Sequence, residues 1–411
     1  MVTVVSVLRR LARGRPDVSV RPDLACGVIA LVTGLIAIAA TIGVHGGSLS
    51  VLVHMAAGDP ITEIARADPN FVFSTNHTDG VFFYAMALDP LALGRAHELI
   101  DLGPNRYAHP GYSWVAGLLA MFRPEFVPIT LPLVSLVGLF VAAVATSRIS
   151  TFFGWSPWGG LVIAFNPGFI YAATADTSEA FGVAVLTTAV LAWITKQRDV
   201  AAVLLILLCF CKEILVLAPV GLAFWETILL LRGGAARDYV RRVALLAPGP
   251  ILYTAWYVYV HSRFGIWPFD SFDPGLPALG PPLVGWLDSL LIGARFATDG
   301  FLESQIGHAV VPLVAVGLMA VLLGLWQALK LRSPLDTIYI MFAGLTLCYA
   351  WAAMMFPKEF IRNLSWIFLM VAAVAQQPRR GGEVPAADPA EPAMGPDGLP
   401  IAPQPTRRAP G

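Results

Sequence analysis

The stretch LACGVIALVTGLIAIAATIGVHGGSLSVLVHMAAG, residues 24–58, runs for 35 residues without a single Asp, Glu, Lys or Arg. A helix of roughly 20 residues already crosses a hydrocarbon core of about 30 Å. Five further charge-free runs, at 126–147, 149–175, 243–262, 305–329 and 337–357, are long enough to do the same. Working outward from them, hydrophobic residues make up 57% of the 411 and charged residues 13%, about half the usual share of a soluble domain. A secreted enzyme, a cytosolic enzyme and a nucleic-acid binder are excluded. The fold class expected is an all-α polytopic membrane protein.

Charge placement then gives a topology. Arg9, Arg10, Arg13, Arg15 and Arg21 precede the first run and put residues 1–23 in the cytoplasm by the positive-inside rule. That run is too long for the apolar segment of a cleaved signal, so it is read as a first span. About ten spans follow: 24–44, 126–147, 153–174, 179–195, 199–211, 214–231, 242–262, 308–329, 336–356 and 361–376. Residues 112–122 would rise only about 17 Å and are treated as a dip into the outer face. On this arrangement the cytoplasmic side carries 18 of the 27 basic and 10 of the 27 acidic residues, which hides a polarity of +8 and −8 behind a net charge of zero. The expected setting is a plasma (inner) membrane with both termini cytoplasmic.

Two outer loops stand out within the membrane domain, 24–376. The first, about 45–125, is long enough for amphipathic helices of its own. The second, 263–307, holds Trp267, Phe269, Phe272 and Trp286. Within it Leu283, Trp286, Leu287, Leu290, Leu291 and Ala294 recur at the spacing of an interfacial helix. Residues 377–411 are rich in proline without apolar periodicity and read as a disordered cytoplasmic tail. The four cysteines, Cys26, Cys209, Cys211 and Cys348, lie in apolar stretches and read as inert thiols.

Polar groups gather at helix ends on the outer side. Asp79, in HTDGVFFYAMALDP (77–90), admits two readings. It is either the N-cap of a helix or a surface carboxylate whose partial burial would raise its pKa and make it a proton acceptor. Asp89 before Pro90 reads as a turn acid. Asp176 and Glu179, in DTSEA (176–180), have the spacing of a capping box and would also suit a binding role. Arg106, Lys212, Lys358 and Arg362 are cations on the face where few are expected. A lipid phosphate suits them, and so does pairing with the adjacent Glu213 and Glu359. Glu226 is read as reaching toward the interface. His54, His77, His97, His109 and His261 have no metal-ligand spacing, so no metal is expected. No phosphate loop or nucleophile elbow occurs.

Taken together, these pieces resemble the integral-membrane glycosyltransferases of the GT-C superfamily. DGVFFYAMA (79–87) is similar to the D-G-x-x-[FY]-Y-x-x-A pattern in the first outer loop of many bacterial members. NRYAHPGY (105–112) resembles that family's aromatic, proline-containing approach to the next helix. Asn166-Pro167 with Ser178-Glu179-Ala180 is similar to the block found in PIG-V-type mannosyltransferases, and FCKE (210–213) followed by Pro219 looks like the outward lysine hairpin. These motifs cover 79–219. The C-terminal half is similar in hydropathy and in its cationic last outer turn.

The resemblance implies a GT-C-like fold and a polyprenyl-phosphate sugar as donor, with no cofactor and a divalent cation not required. The sugar, mannose or another hexose or pentose, would pass with inversion to an acceptor hydroxyl on an envelope glycan, glycolipid or protein. Asp79 would be the base. Lys212, Arg362, Lys358 and Arg106 would hold the leaving phosphate, and Glu179, Asp176 and His109 would contact substrate. Nucleic acid is not an expected partner. A transporter or flippase of lipid-linked sugars, and a non-catalytic assembly subunit, are the competing classes. A transporter would favour repeats and mid-span polar groups, of which Asn166-Pro167 is the single hint.

Overall fold

The computed structural model describes residues 21–75, 77–271, 279–296, 301–354 and 357–375, all within one compact unit, 1–375. Among these residues the structure is helical and has no extended strand. The tail assigned to 377–411 lies outside the described residues, as do Arg9 to Arg15 and Phe272.

Helix α1 (Pro22–Val44) shows why the bundle belongs in lipid. Cys26, Ala30 and Ile38 are buried on one face, while Val28, Val32, Leu35 and Ile36 are about half exposed on the other. An apolar stripe of that length facing water would be an aggregation site, whereas facing acyl chains it costs nothing.

Residues 45–125 follow and build a second apolar core together with Val127, Leu131, Val134 and Val260. It contains α2 (Gly80–Leu88) and α3 (Gly111–Leu119). Amphipathic helices lying on the membrane are expected here, and α2 is different. Every residue from Gly80 to Ala87 is buried, because a segment apolar on all sides has no face to give to water. The nine residues of α3 rise only about 13 Å, too little to cross. Asp89 is the turn acid its position suggests. Its Oδ1 accepts from the Leu93 and Gly94 amides at 2.8 and 2.9 Å.

The bundle continues through α4 (Val127–Phe152), α5 (Pro167–Thr174), α6 (Glu179–Ile194) and α7 (Arg198–Cys209). Then come α8 (Leu217–Leu231), α9 (Ala236–Leu246), α10 (Pro248–Phe264) and α11 (Val284–Phe296). The last are α12 (Phe301–Ala328), α13 (Pro334–Leu347) and α14 (Pro357–Ala375). Small buried residues such as Ala142 and Ala143 on α4, and Ala180 and Ala184 on α6, let the helices approach closely. Among the described residues five segments are long and apolar enough to cross a membrane: Pro22–Val44, Val127–Phe152, Glu213–Leu231, Ala236–Phe264 and Val310–Ala328. Helices α6 and α13 are apolar but shorter.

Two other expectations meet the structure here. Helix α11 buries Trp286 completely and exposes Leu287 and Leu291, so residues that recur together at helical spacing are divided between the core and the surface. Glu226 does not reach for an interface. It is 2% exposed and is held by Arg242 at 3.0 Å, because a guanidinium from the next helix satisfies it without any need for water.

Candidate functional site

One cavity of about 560 Å³ is lined by groups from across the chain. Asp79, Arg106, His109, Glu179, Lys212 and Arg362 line it, as do Val216, Leu217, Tyr253, Tyr257 and Tyr349. Of the eight candidate site residues read from the sequence, six therefore meet in one place. The side chain of Lys358 lies outside the described residues.

Asp79 sits at the N-cap of α2, yet its side chain makes no capping hydrogen bond. Instead Oδ1 accepts from Arg106 Nη1 at 3.0 Å and Oδ2 pairs with Arg362 Nη1 at 2.6 Å. Arg106 comes from the short helix Gly103–Tyr107 and lies flat over the Phe82 ring, 3.7 Å from its centroid. Gly80 fixes the position of the acid. A Cβ there would fall 2.7 Å from the Val53 carbonyl oxygen and 2.8 Å from that of Ala175, so only glycine lets α2 start this close to two other segments. Gly80→Ala is expected to cost about 1–3 kcal/mol, the usual cost of overpacking, read as a lower melting temperature in detergent.

Burial was expected to raise the Asp79 pKa, and the structure reverses this. Desolvation does push it upward, but Arg362, Arg106 and Lys212 together outweigh that effect and hold the carboxyl well below the ordinary carboxylate range. Asp79 is thus ionised and occupied on both oxygens.

Glu179, the first residue of α6, is 3% exposed at its side chain. Its Oε1 takes Lys212 Nζ at 2.6 Å and Arg362 Nε at 3.3 Å. Arg362, on the second turn of α14, therefore bridges both acids. Asn363 beside it lies 3.4 Å from Lys212 Nζ through Oδ1. The N-P motif supports this helix from below, since Asn166 caps α5 through the Gly168 amide and donates Nδ2 to the Ser365 carbonyl at 3.3 Å.

Lys212 does not pair with its neighbour Glu213. Its backbone is extended, φ −165° and ψ 149°, so successive side chains point apart. Glu213 turns to His109, with Oε2 3.6 Å from Nδ1. Gly111 ties these two segments together. Its amide donates to the Phe210 carbonyl at 2.7 Å, and a Cβ on it would lie 2.9 Å from the same oxygen.

Asp176 is not brought into the cavity lining, and it does not form a capping box with Glu179. It has φ +48°, and the Thr177 amide donates to the Ala172 carbonyl at 3.0 Å. This is the left-handed stop of α5, with the hydrogen bond of a Schellman motif, not the start of α6. Its carboxyl is completely buried, and neither oxygen has a hydrogen-bond partner among the described residues. Desolvation pushes its pKa well above the ordinary value, so the folded protein holds it as the neutral acid. The penalty is absent below the unfolded carboxyl pKa of about 3.9 and grows as pH rises above it. Asp176→Asn keeps the size and tolerates left-handed backbone. The variant should melt higher than the parent at neutral pH, with the gap closing toward pH 4.

Sequence reading missed the tyrosines and Asn363. Tyr253 and Tyr257 are four apart on α10 with hydroxyls at 3.3 Å, a helical spacing that marks a shared face but not which cavity it meets. Phe269 reaches the cavity from the segment that follows α10 and stacks on Trp267, which stacks on His261 with centroids 4.0 Å apart. Among the described residues no group of three His, Cys, Asp or Glu side chains is placed to hold a metal. No protein-family model matches the chain, and no curated protein matches it.

Proposed function

We propose that the protein is a membrane glycosyltransferase of the GT-C type, moving a sugar from a polyprenyl-phosphate donor to an acceptor hydroxyl at the extracytoplasmic face. The single observation that carries this reading is the mixed lining of the cavity. Three cations, Arg106, Lys212 and Arg362, line it together with apolar side chains and tyrosine rings. A phosphate at headgroup depth suits the cations, and the first isoprene units and the sugar ring suit the apolar side chains and rings. The size lies within the range of small-ligand sites.

In this reading the chain crosses the membrane about ten times, with segments such as 153–174, 179–195 and 361–375 completing passes alongside the five long ones. The cavity then opens outside the cytoplasm, where lipid-linked sugars replace nucleotide sugars. Asp79 and Glu179 keep three like charges assembled while the site is empty. As the sugar leaves, negative charge builds on the phosphate oxygen, and the preset cations stabilise it without reorganisation. Displacement from the face opposite the phosphate gives inversion.

The test is transfer of radiolabelled sugar from undecaprenyl-phosphate mannose and undecaprenyl-phosphate glucose in vesicles holding the purified protein and envelope extract. Labelled product that depends on the protein supports the reading. Solute or lipid movement across the vesicle membrane without any glycosidic product would assign the chain to the transporters instead.

A further inference from the structure

Asp79 is the proton acceptor that the sequence puts forward, but in the structure each of its oxygens is taken by a guanidinium, at 3.0 and 2.6 Å. Glu179 is similarly engaged through Oε1, and its Oε2 is buried. The same cavity holds a base whose charge is not spent on a cation. His109 has a side chain 13% exposed, with Nδ1 buried, 3.6 Å from Glu213 Oε2 and without a hydrogen bond. Nε2 is then the ring atom left to the cavity. The Phe83 ring, 6.2 Å away between centroids, closes the other side of the imidazole.

Resting on the transferase reading above, we propose that His109 is the general base of the reaction, with Glu213 as the residue that positions it. The acceptor O–H gives its proton to Nε2 while its oxygen bonds to the anomeric carbon. The bond from that carbon to the phosphate oxygen breaks, and its electron pair leaves on the polyprenyl phosphate, held by Arg106, Lys212 and Arg362. The carboxylate of Glu213, 3.6 Å from Nδ1, stabilises by its charge the imidazolium that forms, as a carboxylate does for a histidine in a triad.

Four charged groups surround the ring: Asp79 and Arg106 from the first outer segment, Lys212 and Glu213 from the turn between α7 and α8. Burial, together with Lys212 and Arg106, lowers its pKa, while Glu213 and Asp79 raise it, and the sum lies below the ordinary histidine value. The imidazole is therefore neutral and able to accept a proton at neutral pH. A carboxylate clamped by two arginines is a far weaker acceptor under the same conditions.

The experiment combines a titration with a rate profile. In ¹⁵N-histidine-labelled protein in nanodiscs, the resonance lost in His109→Gln is followed against pH. It is expected to titrate below the ordinary midpoint of about 6.5, and further down in Glu213→Gln. Transfer from the same undecaprenyl-phosphate sugars should show an acidic limb at that midpoint, moving down with Glu213→Gln. His109→Gln should lose about 10²-fold or more in kcat with a smaller change in donor KM. A His109 that is cationic at pH 7, or transfer that survives His109→Gln with its pH profile intact, overturns the base assignment and leaves the transferase reading standing. No transfer by the parent protein at any pH overturns both.

Discussion

Arg362→Ala is expected to reduce sugar transfer by about 10³-fold, the upper range for removing one preset donor from a developing oxyanion. The size of the effect follows from geometry. Arg362 is the one described cation that pairs with both acids, reaching Asp79 Oδ2 at 2.6 Å and Glu179 Oε1 at 3.3 Å. Its removal takes away a cation proposed to hold the leaving phosphate and leaves Asp79 to Arg106 and Glu179 to Lys212. The acid pair then draws the two remaining cations tighter and makes them less available to the donor. Arg362→Lys keeps the charge but not the planar fork that spans two carboxylates, so it should recover only part of the rate. Melting curves of both variants, taken beside the rates, separate a folded but inactive site from a collapsed one.

Lys212→Met should produce the largest loss of stability of any side-chain truncation in the cavity. The Lys212–Glu179 pair is 2.6 Å long with side-chain exposures of 10% and 3%. Removing one partner of a buried pair costs about 3–5 kcal/mol, because the other charge stays buried. Arg362 still reaches Glu179, so the lower end of that range is expected. The diagnostic is the double variant Lys212→Met/Glu179→Gln. With the orphaned charge gone it should recover a substantial part of the lost stability, a coupling that two independent surface groups would not show.

Linkage gives these contacts a pH signature. The Asp79 carboxyl is lowered in the folded state. The stability it contributes is therefore present above its unfolded pKa of about 3.9 and is lost as pH falls through the lower folded value. Asp176 runs the other way, its cost growing as pH rises. At neutral pH Asp79→Asn should consequently melt below the parent and Asp176→Asn above it, with both gaps narrowing as pH falls.

Much of this arrangement could be read before any coordinates. Long charge-free runs reveal helices directly, because burial in lipid tolerates few charges, and α1 and α4 lie within a few residues of where the runs put them. Polar groups at helix ends were sound pointers too: Asp79, Arg106, His109, Glu179, Lys212 and Arg362 share one cavity. What could not be read was who pairs with whom. Lys212 and Glu213 are neighbours in sequence, but an extended backbone sends them to different partners, Glu179 and His109. Asp176 and Glu179 have capping-box spacing, yet a left-handed residue at 176 ends one helix before the next begins. The sign of the Asp79 shift was misjudged for a related reason. Burial alone is a local property, whereas the two guanidiniums arrive from 27 and 283 residues farther along the chain.

The sharpest measurement of the central claim, that this cavity receives a lipid-borne phosphate, compares two ligands differing only in that group. Purified protein in nanodiscs is titrated with undecaprenyl phosphate and with undecaprenol, and bound ligand is counted by native mass spectrometry. Saturable binding of the phosphate, at least tenfold tighter than the alcohol and abolished by Arg362→Ala, is the predicted result. Equal retention of the two lipids, or retention that Arg362→Ala leaves unchanged, would contradict it.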